Sequence, residues 1–286
     1  MSWVEIDQEA CTDCRLCLKR CPRCFSQAGD QITVAADALC CNLCGHCVAV
    51  CPTGAITHHR MDMENFPEAG LAANVDPAEF LRMIRQRRSH RVFLKKPVPK
   101  EALETLVEAV RYSPTGSNVQ GVGLVILQDP DRIQTLSSLV VDFFQESRGA
   151  VEAEIQKVRA EGGKPNDYIL RLLEIGKRTV EARAAGIDPI FHKAPNVMIF
   201  HSVVPTSTPK DNCMIAAQTV VLTAMTLGLG TCYIGLFEMA ANTFPPLIRE
   251  LDLPAGHQVL SVLILGWPKV KYQRMVDRLP VAVTWD

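Results

Sequence analysis

The chain has 286 residues, 48% of them apolar and 21% charged, so it can bury a core and lacks the composition of a disordered segment. Thirty Lys and Arg against thirty-one Asp and Glu leave a formal charge of −1, which argues against a nucleic-acid binder or a polybasic membrane anchor. Residues 1–7 have neither the basic start nor the apolar run of a signal peptide, so a cytoplasmic setting is expected, where twelve cysteines call for a metal or redox role rather than a disulfide framework.

Ten of the twelve cysteines precede residue 52. Cys11, Cys14, Cys17 and Cys21 recur thirty positions later as Cys41, Cys44, Cys47 and Cys51, each run ending in Cys-Pro. The doubled spacing Cys-x2-Cys-x2-Cys-x3-Cys-Pro resembles that of bacterial-type ferredoxins, which hold two [4Fe–4S] clusters and in which the fourth cysteine of each run reaches the other cluster. That assigns Cys11, Cys14, Cys17 and Cys51 to one cluster, and Cys41, Cys44, Cys47 and Cys21 to the second. Zinc sites also use Cys-x2-Cys pairs but do not need the doubled three-plus-one rhythm. Cys24 and Cys40 beside these runs, and Cys213 and Cys232 in apolar contexts, read as small buried packing residues. With eight thiolates already matching two clusters, His46, His58 and His59 read as surface residues or as supports behind the ligands. Residues 1–60 are thus expected to form a small ferredoxin-like two-cluster domain, and residues 61–75, aperiodic and containing Pro67 and Gly70, a linker.

After the linker the pattern becomes globular. Asp76-Pro77 sets a cap before proline at the first helical position, and Phe80, Leu81 and Ile84 predict a helix to about Arg88. A second helix is predicted from Pro99, with Leu103, Leu106, Val107 and Val110 on one face, stopping at Ser113-Pro114. Residues 122–127 read as a buried strand. Helical patterns over 131–147 and 166–184 flank the Gly162-Gly163 break, and strands are predicted at 196–203, 231–236 and 259–265. Residues 214–237 carry no charge, a length that could span a membrane. Gln218, several threonines and the Gly228-Leu229-Gly230 break make the stretch a buried helix, a glycine turn and a short strand instead. The mixture of helices and strands over 76–286 predicts an α+β domain.

Arg87-Arg88-Ser89-His90-Arg91 places three guanidinium groups and a hydroxyl near a helix end, a set suited to a phosphate group. Ser113-Pro114-Thr115-Gly116-Ser117-Asn118-Val119-Gln120 is a polar, turn-rich loop entering a strand, able to offer backbone groups and side-chain amides to a flat polar ring. Together the two segments resemble the nitroreductase family of flavoproteins, in which an Arg-Arg-Ser-x-Arg stretch and a Ser-Pro-Thr/Ser-Gly-x-Asn-x-Gln stretch bind FMN. The likeness continues in order over residues 76–286. Leu227-Gly228-Leu229-Gly230-Thr231-Cys232-Tyr233-Ile234-Gly235 is similar to the family's loop beneath the isoalloxazine, and Leu265-Gly266-Trp267-Pro268-Lys269 with Arg274 and Arg278 to its C-terminal phosphate-binding end. The resemblance implies an FMN domain in which Arg87, Arg88, Ser89, Arg91, Arg274 and Arg278 serve the phosphate. It gives Ser113, Pro114, Thr115, Asn118 and Gln120 to the ring or ribityl chain, and the backbone of Ile234 and Gly235 to the reactive edge. Many members follow the glutamine with Pro-Trp, where this chain has Gly121-Val122. The family's most variable stretch, which usually builds the substrate pocket, corresponds to residues 143–192; Phe144, Tyr168 and His192 within it read as core or surface residues. No catalytic side chain is singled out.

No third glycine completes Gly228-Leu229-Gly230 or Gly121-Val122-Gly123 as an NAD fingerprint, and no Ser-His-Asp or zinc-hydrolase motif is present. A flavin joins one-electron to two-electron chemistry, and a cubane cluster passes one electron. The expected protein is therefore an iron–sulfur flavoprotein reductase. It takes electrons from a low-potential donor such as a ferredoxin through two [4Fe–4S] clusters to FMN, and on to a small nitroaromatic, quinone-like or activated-alkene acceptor. The resemblance further implies a homodimer with FMN in its interface, to which the uncharged helix around residues 215–227 is suited. The alternative is an electron-transfer module that serves a partner protein and has no small substrate of its own. A redox sensor would need a nucleic-acid-binding module, which the sequence lacks.

Overall fold

The computed structural model describes residues 3–35, 41–70 and 74–286; Cys40 lies outside them. The chain divides into two compact units, one comprising Met1–Val75 with Ser117–Val119, the other Asp76–Gly116 with Gln120–Asp286.

In the first unit β1 (Val4–Ile6) pairs antiparallel with β4 (Ile56–His58), and β2 (Phe25–Ala28) with β3 (Gln31–Val34). The β2–β3 loop turns at Gly29, where φ is 62°, a value glycine adopts without steric cost. Two five-residue helices, α1 (Leu16–Arg20) and α2 (His46–Val50), lie between the strand pairs. The thirty-residue repeat extends to the backbone. Asp13 and Arg15 have φ of 48° and 62°, and Leu43 and Gly45, thirty positions on, have 57° and 69°. Arg15 and Gly45 immediately precede their helices, whose second positions, Cys17 and Cys47, lie in a core with Val4, Phe25, Ile32 and Ile56. Cys24 is buried there too, yet it is disulfide-bonded rather than a free packing thiol.

The second unit is built on a four-stranded antiparallel sheet of order β5 (Gly123–Leu127), β6 (Asn196–Val203), β8 (His257–Gly266) and β7 (Gly230–Tyr233). Strand alternation sends Val197, Ile199, Val262 and Ile264 to one face, where α5 (Pro130–Ala160), α8 (Gly235–Ala241) and α9 (Pro245–Leu251) cover them. Met198, Phe200, Leu263 and Leu265 point to the other face, against α4 (Lys100–Arg111) and α7 (Pro209–Thr226). Both central strands are therefore buried on both faces and mostly apolar. The charge-free stretch becomes α7, a turn at Gly228 (φ 73°) and β7; Ala216, Ala217 and Ala224 let the helix lie close on the sheet. Among the described residues no helix is long and apolar enough to cross a membrane.

Several boundaries differ from those expected, three of them by more than a residue for a clear reason. α3 (Pro77–Gln86), capped by Asp76 accepting from the Glu79 N–H at 2.9 Å, stops before Arg87, which is already extended. α5 continues past residue 147 to Ala160, because good helix formers sustain it although Ile155 is its only buried residue beyond Phe144. The strand expected over 231–236 ends at Tyr233, and Gly235 opens α8. α6 (Asp167–Ala184), capped by Asn166, packs back on α5.

The start of β5 accommodates an aromatic ring. A Cβ at Gly123 would stand 2.2 Å from the ring of His201, whose Nδ1 is 2.8 Å from Nδ1 of His257. Gly123→Ala should accordingly cost about 1–3 kcal/mol, read as a lowered thermal midpoint, whereas Gly149→Ala on the open side of α5 should not lower it. Equal midpoints for the two variants would show that the His201 ring moves aside freely.

Candidate functional site

The repeated cysteines form two groups. Cys11, Cys14, Cys17 and Cys51 line one small cavity, walled by Ile6, Ile32 and Ile56. Cys47 has Cys41, Cys44 and Cys21 as its thiol neighbours. In both groups three cysteines of one run meet the fourth cysteine of the other run. Among the described residues no three Cys, His, Asp or Glu side chains converge closely enough to hold a single metal ion.

Electrostatics differ among these thiols. Burial raises the Cys47 thiol to about 11, with the neighbouring thiols adding to the effect. Burial also acts to raise Cys51, but the Thr53 hydroxyl and the N–H groups of Thr53, Ala55 and Gly54 outweigh it and bring the thiol below its usual range. The Leu43 N–H donates to Cys41 Sγ at 3.4 Å, and the buried His58 brings Nε2 within 3.4 Å of the same sulfur. His59 is instead an exposed partner of Glu5, and His46 lies 3.0 Å from an Arg20 nitrogen.

In the second unit the segment after α3 lies along the free edge of β7. Ser89 bridges Thr231 in parallel fashion and the His90 N–H donates to Thr231 O at 2.9 Å; further on, the Leu94 N–H donates to Trp267 O and the Lys269 N–H to Val92 O. This places Arg87 near Tyr233, whose phenol is pushed up to about 12 by burial while the Arg87 charge pulls the other way. Arg91 stands close enough to His192 to add to the effect of burial in holding that imidazole below its usual range. Arg88 and Arg274 line a groove that Arg87 and Ser89 do not border. Arg278 lies on the exposed C-terminal segment, which Arg88 approaches at Val276 O, 3.5 Å away.

The Ser113–Gln120 loop is held by its own polar groups. The Ser113 hydroxyl donates to Ala109 O, and Thr115 Oγ1 accepts from the Gln120 N–H, both at 3.0 Å. These two hydroxyls help fix the loop itself. Ser117, Asn118 and Gln120 all have positive φ. Asn118 groups with the first unit, where its Nδ2 donates to Asn42 O and Leu43 O at 3.0 Å each. A Cβ at Gly116 would meet Thr208 Oγ1 at 2.4 Å. The Ile234 N–H donates to Val262 O at 2.9 Å. The Gly235 N–H, in the first turn of α8, has no intrahelical acceptor.

The sequence reading missed Asn212. This buried side chain accepts from the Gly116 N–H at 2.8 Å and donates to Ser207 O at 2.7 Å, locking the loop to the start of α7. Its signal was an amide at the head of the charge-free run of the helix. Of the residues considered for the substrate side, Phe144 belongs to the core, Tyr168 is 62% exposed, and His192 is half-buried with φ of 56°.

Comparison with known proteins gives this geometry a family. The model of the nitroreductase family matches residues 84–267. The chain is 26% identical over 200 residues to a chloronitrobenzene nitroreductase of Comamonas testosteroni, covering 65% of this chain and 85% of that protein. It is 27% identical over 191 residues to an NAD(P)H-dependent FMN reductase of Bacillus subtilis strain 168, covering 66% of each. A crystal structure of a nitroreductase with bound FMN from Bacteroides fragilis NCTC 9343 superposes with a TM-score of 0.55 at 19% identity, over 72% of this chain and 98% of that one. The chain therefore belongs to the nitroreductase family and is an oxidoreductase of that family.

Proposed function

We propose that this nitroreductase-family enzyme is an FMN-dependent reductase with an iron–sulfur domain at residues 1–60, a linker at 61–75 and an FMN domain at 76–286. Electrons from a low-potential donor reach FMN by way of two [4Fe–4S] clusters and leave to a small electrophilic acceptor, nitroaromatic, quinone-like or an activated alkene. The observation that carries the iron–sulfur part is the grouping of Cys11, Cys14 and Cys17 with Cys51 and of Cys41, Cys44 and Cys47 with Cys21, a crossed arrangement that a two-cluster ferredoxin requires. Acceptors of the nitroaromatic class are supported by relatives such as the chloronitrobenzene nitroreductase.

FMN supplies two-electron transfer when bound, and cubane clusters supply transfer of one electron at a time. The chain's own residues fit an anionic flavin. Arg87 and Arg91 have no carboxylate partner among the described residues, and Ser89 is fixed beside them on β7. The unused Gly235 N–H can donate to an acceptor atom of the ring, and the Gln120 amide to ring or ribityl oxygens. Arg278 would join the phosphate from the C-terminal segment. In the first unit the Cys51 turn and the Leu43 N–H stabilise sulfur as thiolate, the form that iron takes. A homodimer would cover the exposed side of α7, where Ile215, Gln218 and Thr226 lie.

Four measurements test this reading. Arg87→Ala should weaken FMN binding about ten- to a hundredfold, the value of one charge-assisted hydrogen bond, with iron content unchanged; unaltered flavin affinity would remove Arg87 from the phosphate site. Protein prepared without oxygen should carry about eight irons and eight labile sulfides per chain. In it, Cys21→Ala should damage the cluster of Cys41, Cys44 and Cys47 rather than that of Cys11, Cys14 and Cys17, as read by electron paramagnetic resonance. Finally, a reduced ferredoxin should reduce the flavin much faster than NADH or NADPH in rapid-mixing absorbance. Reduction by NAD(P)H at the turnover rate would show that the clusters are not the entry route, and absence of turnover with any small acceptor would favour an electron-transfer module.

A further inference from the structure

The groove bordered by Arg88 has features that flavin binding does not use. It has a volume of about 710 Å³ and lies wholly within the second unit, between the segment after α3 and the segment after β8. Four permanent cations line it: Arg88, Lys96, Lys271 and Arg274. No Asp or Glu borders it, and none of the four has an ion-pair partner among the described residues. In a chain of net charge −1, general basicity does not explain this concentration. Like charges gathered in one concavity repel each other, and the low-dielectric walls focus their field on whatever anion enters.

The groove also presents aromatic surface, held in place. The Trp267 indole N–H donates to Pro97 O at 3.1 Å, and Lys96 Nζ sits 4.4 Å from the centre of the ring. Tyr272 packs edge-on against His90, with ring centres 5.4 Å apart and planes at 65°. The two segments that carry these rings are joined by the backbone hydrogen bonds from Leu94 to Trp267 and from Lys269 to Val92, at 2.9 and 3.0 Å. The walls are therefore preformed, and the volume falls in the range of small-molecule sites.

Unpaired cations beside fixed aromatic rings match a ligand with a flat ring at one end and several negative charges at the other. We propose that this groove binds a nucleotide bearing two or more phosphates, at a site separate from FMN. Arg88, Lys271 and Arg274 would take the phosphates, with Arg able to engage two oxygens at once. The base would rest on Tyr272 and Trp267. Arg88 and Arg274, which the family resemblance placed at the flavin phosphate, would then serve this second ligand.

The test uses the FMN-loaded full-length protein, so that the flavin site is filled, and isothermal titration calorimetry with ADP, ATP and tripolyphosphate. ADP and ATP should each bind saturably at one per chain without releasing flavin. A Lys96→Glu/Lys271→Glu variant should bind them at least tenfold more weakly while retaining its full FMN content. Tyr272→Ala should weaken ADP and ATP but leave tripolyphosphate unaffected, which keeps the base contact separable from general charge. The proposal is overturned by absence of saturable binding at millimolar nucleotide, by nucleotide that displaces FMN, or by equal affinity in wild type and the charge-reversed variant. Tripolyphosphate binding as tight as ATP, with no effect of Tyr272→Ala, would overturn it in favour of a plain polyanion site. Protection of the groove only by an acidic ferredoxin would overturn it in favour of protein docking.

Discussion

Burial of β6 and β8 on both faces is the constraint on which the second unit depends. Eight of ten residues in β8 and seven of eight in β6 are buried, so neither strand can carry chemistry without placing a polar group in an apolar layer. Where it happens, partners are scarce: Ser202 Oγ and Ser261 Oγ are buried without a hydrogen bond among the described residues. Polar loops sit instead at the two outer strands, β5 and β7. The Ser113–Gln120 loop feeds into one and the Arg87–Arg91 segment lies along the other. The sheet thus acts as an inert spacer between polar loops.

A buried carboxylate shows how connecting loops meet the same constraint. Asp188, 4% exposed, accepts from the Ser137 hydroxyl at 2.5 Å and from the N–H groups of Ile190, Phe191 and Lys193 at 3.1, 3.1 and 2.9 Å. Four donors on one carboxylate compensate its desolvation and fold the chain tightly before β6. Asn212 does the same at the start of α7, as an amide that can both accept and donate.

Much of the fold was legible because it rests on local rules. Asp76-Pro77 marked the start of α3, the Gly162-Gly163 break separated α5 from α6, and the apolar run Val197-Met198-Ile199-Phe200 marked a strand covered on both faces. Rules of this kind failed where the apolar signal faded or two elements shared it. Beyond Phe144, α5 is held by intrinsic helix preference rather than by burial, so periodicity could not follow it. At Ile234-Gly235 an apolar strand runs straight into an apolar helix with no polar punctuation. The first three cysteines of each group were legible from spacing because they are short-range, whereas the crossed fourth, Cys51 or Cys21, followed only from the ferredoxin resemblance. The hydrogen bonds of Thr115, Asn118 and Asn212 were not legible, because they depend on partners far away in sequence or on the exact turn of a loop.

α5 carries a consequence for how such a chain can vary. Thirty-one residues of helix extend about 46 Å at 1.5 Å per residue, whereas the ten residues of β8 reach about 34 Å. The first half of α5 supplies Ile133, Leu136, Val140, Val141 and Phe144 to the core, and its second half supplies Ile155 alone. Lengthening or trimming that second half by whole turns, together with the facing part of α6, would leave the sheet and its flanking loops untouched. A lineage can therefore remodel this helical pair for new acceptors by insertion and deletion, while point substitutions in the sheet remain tightly restricted.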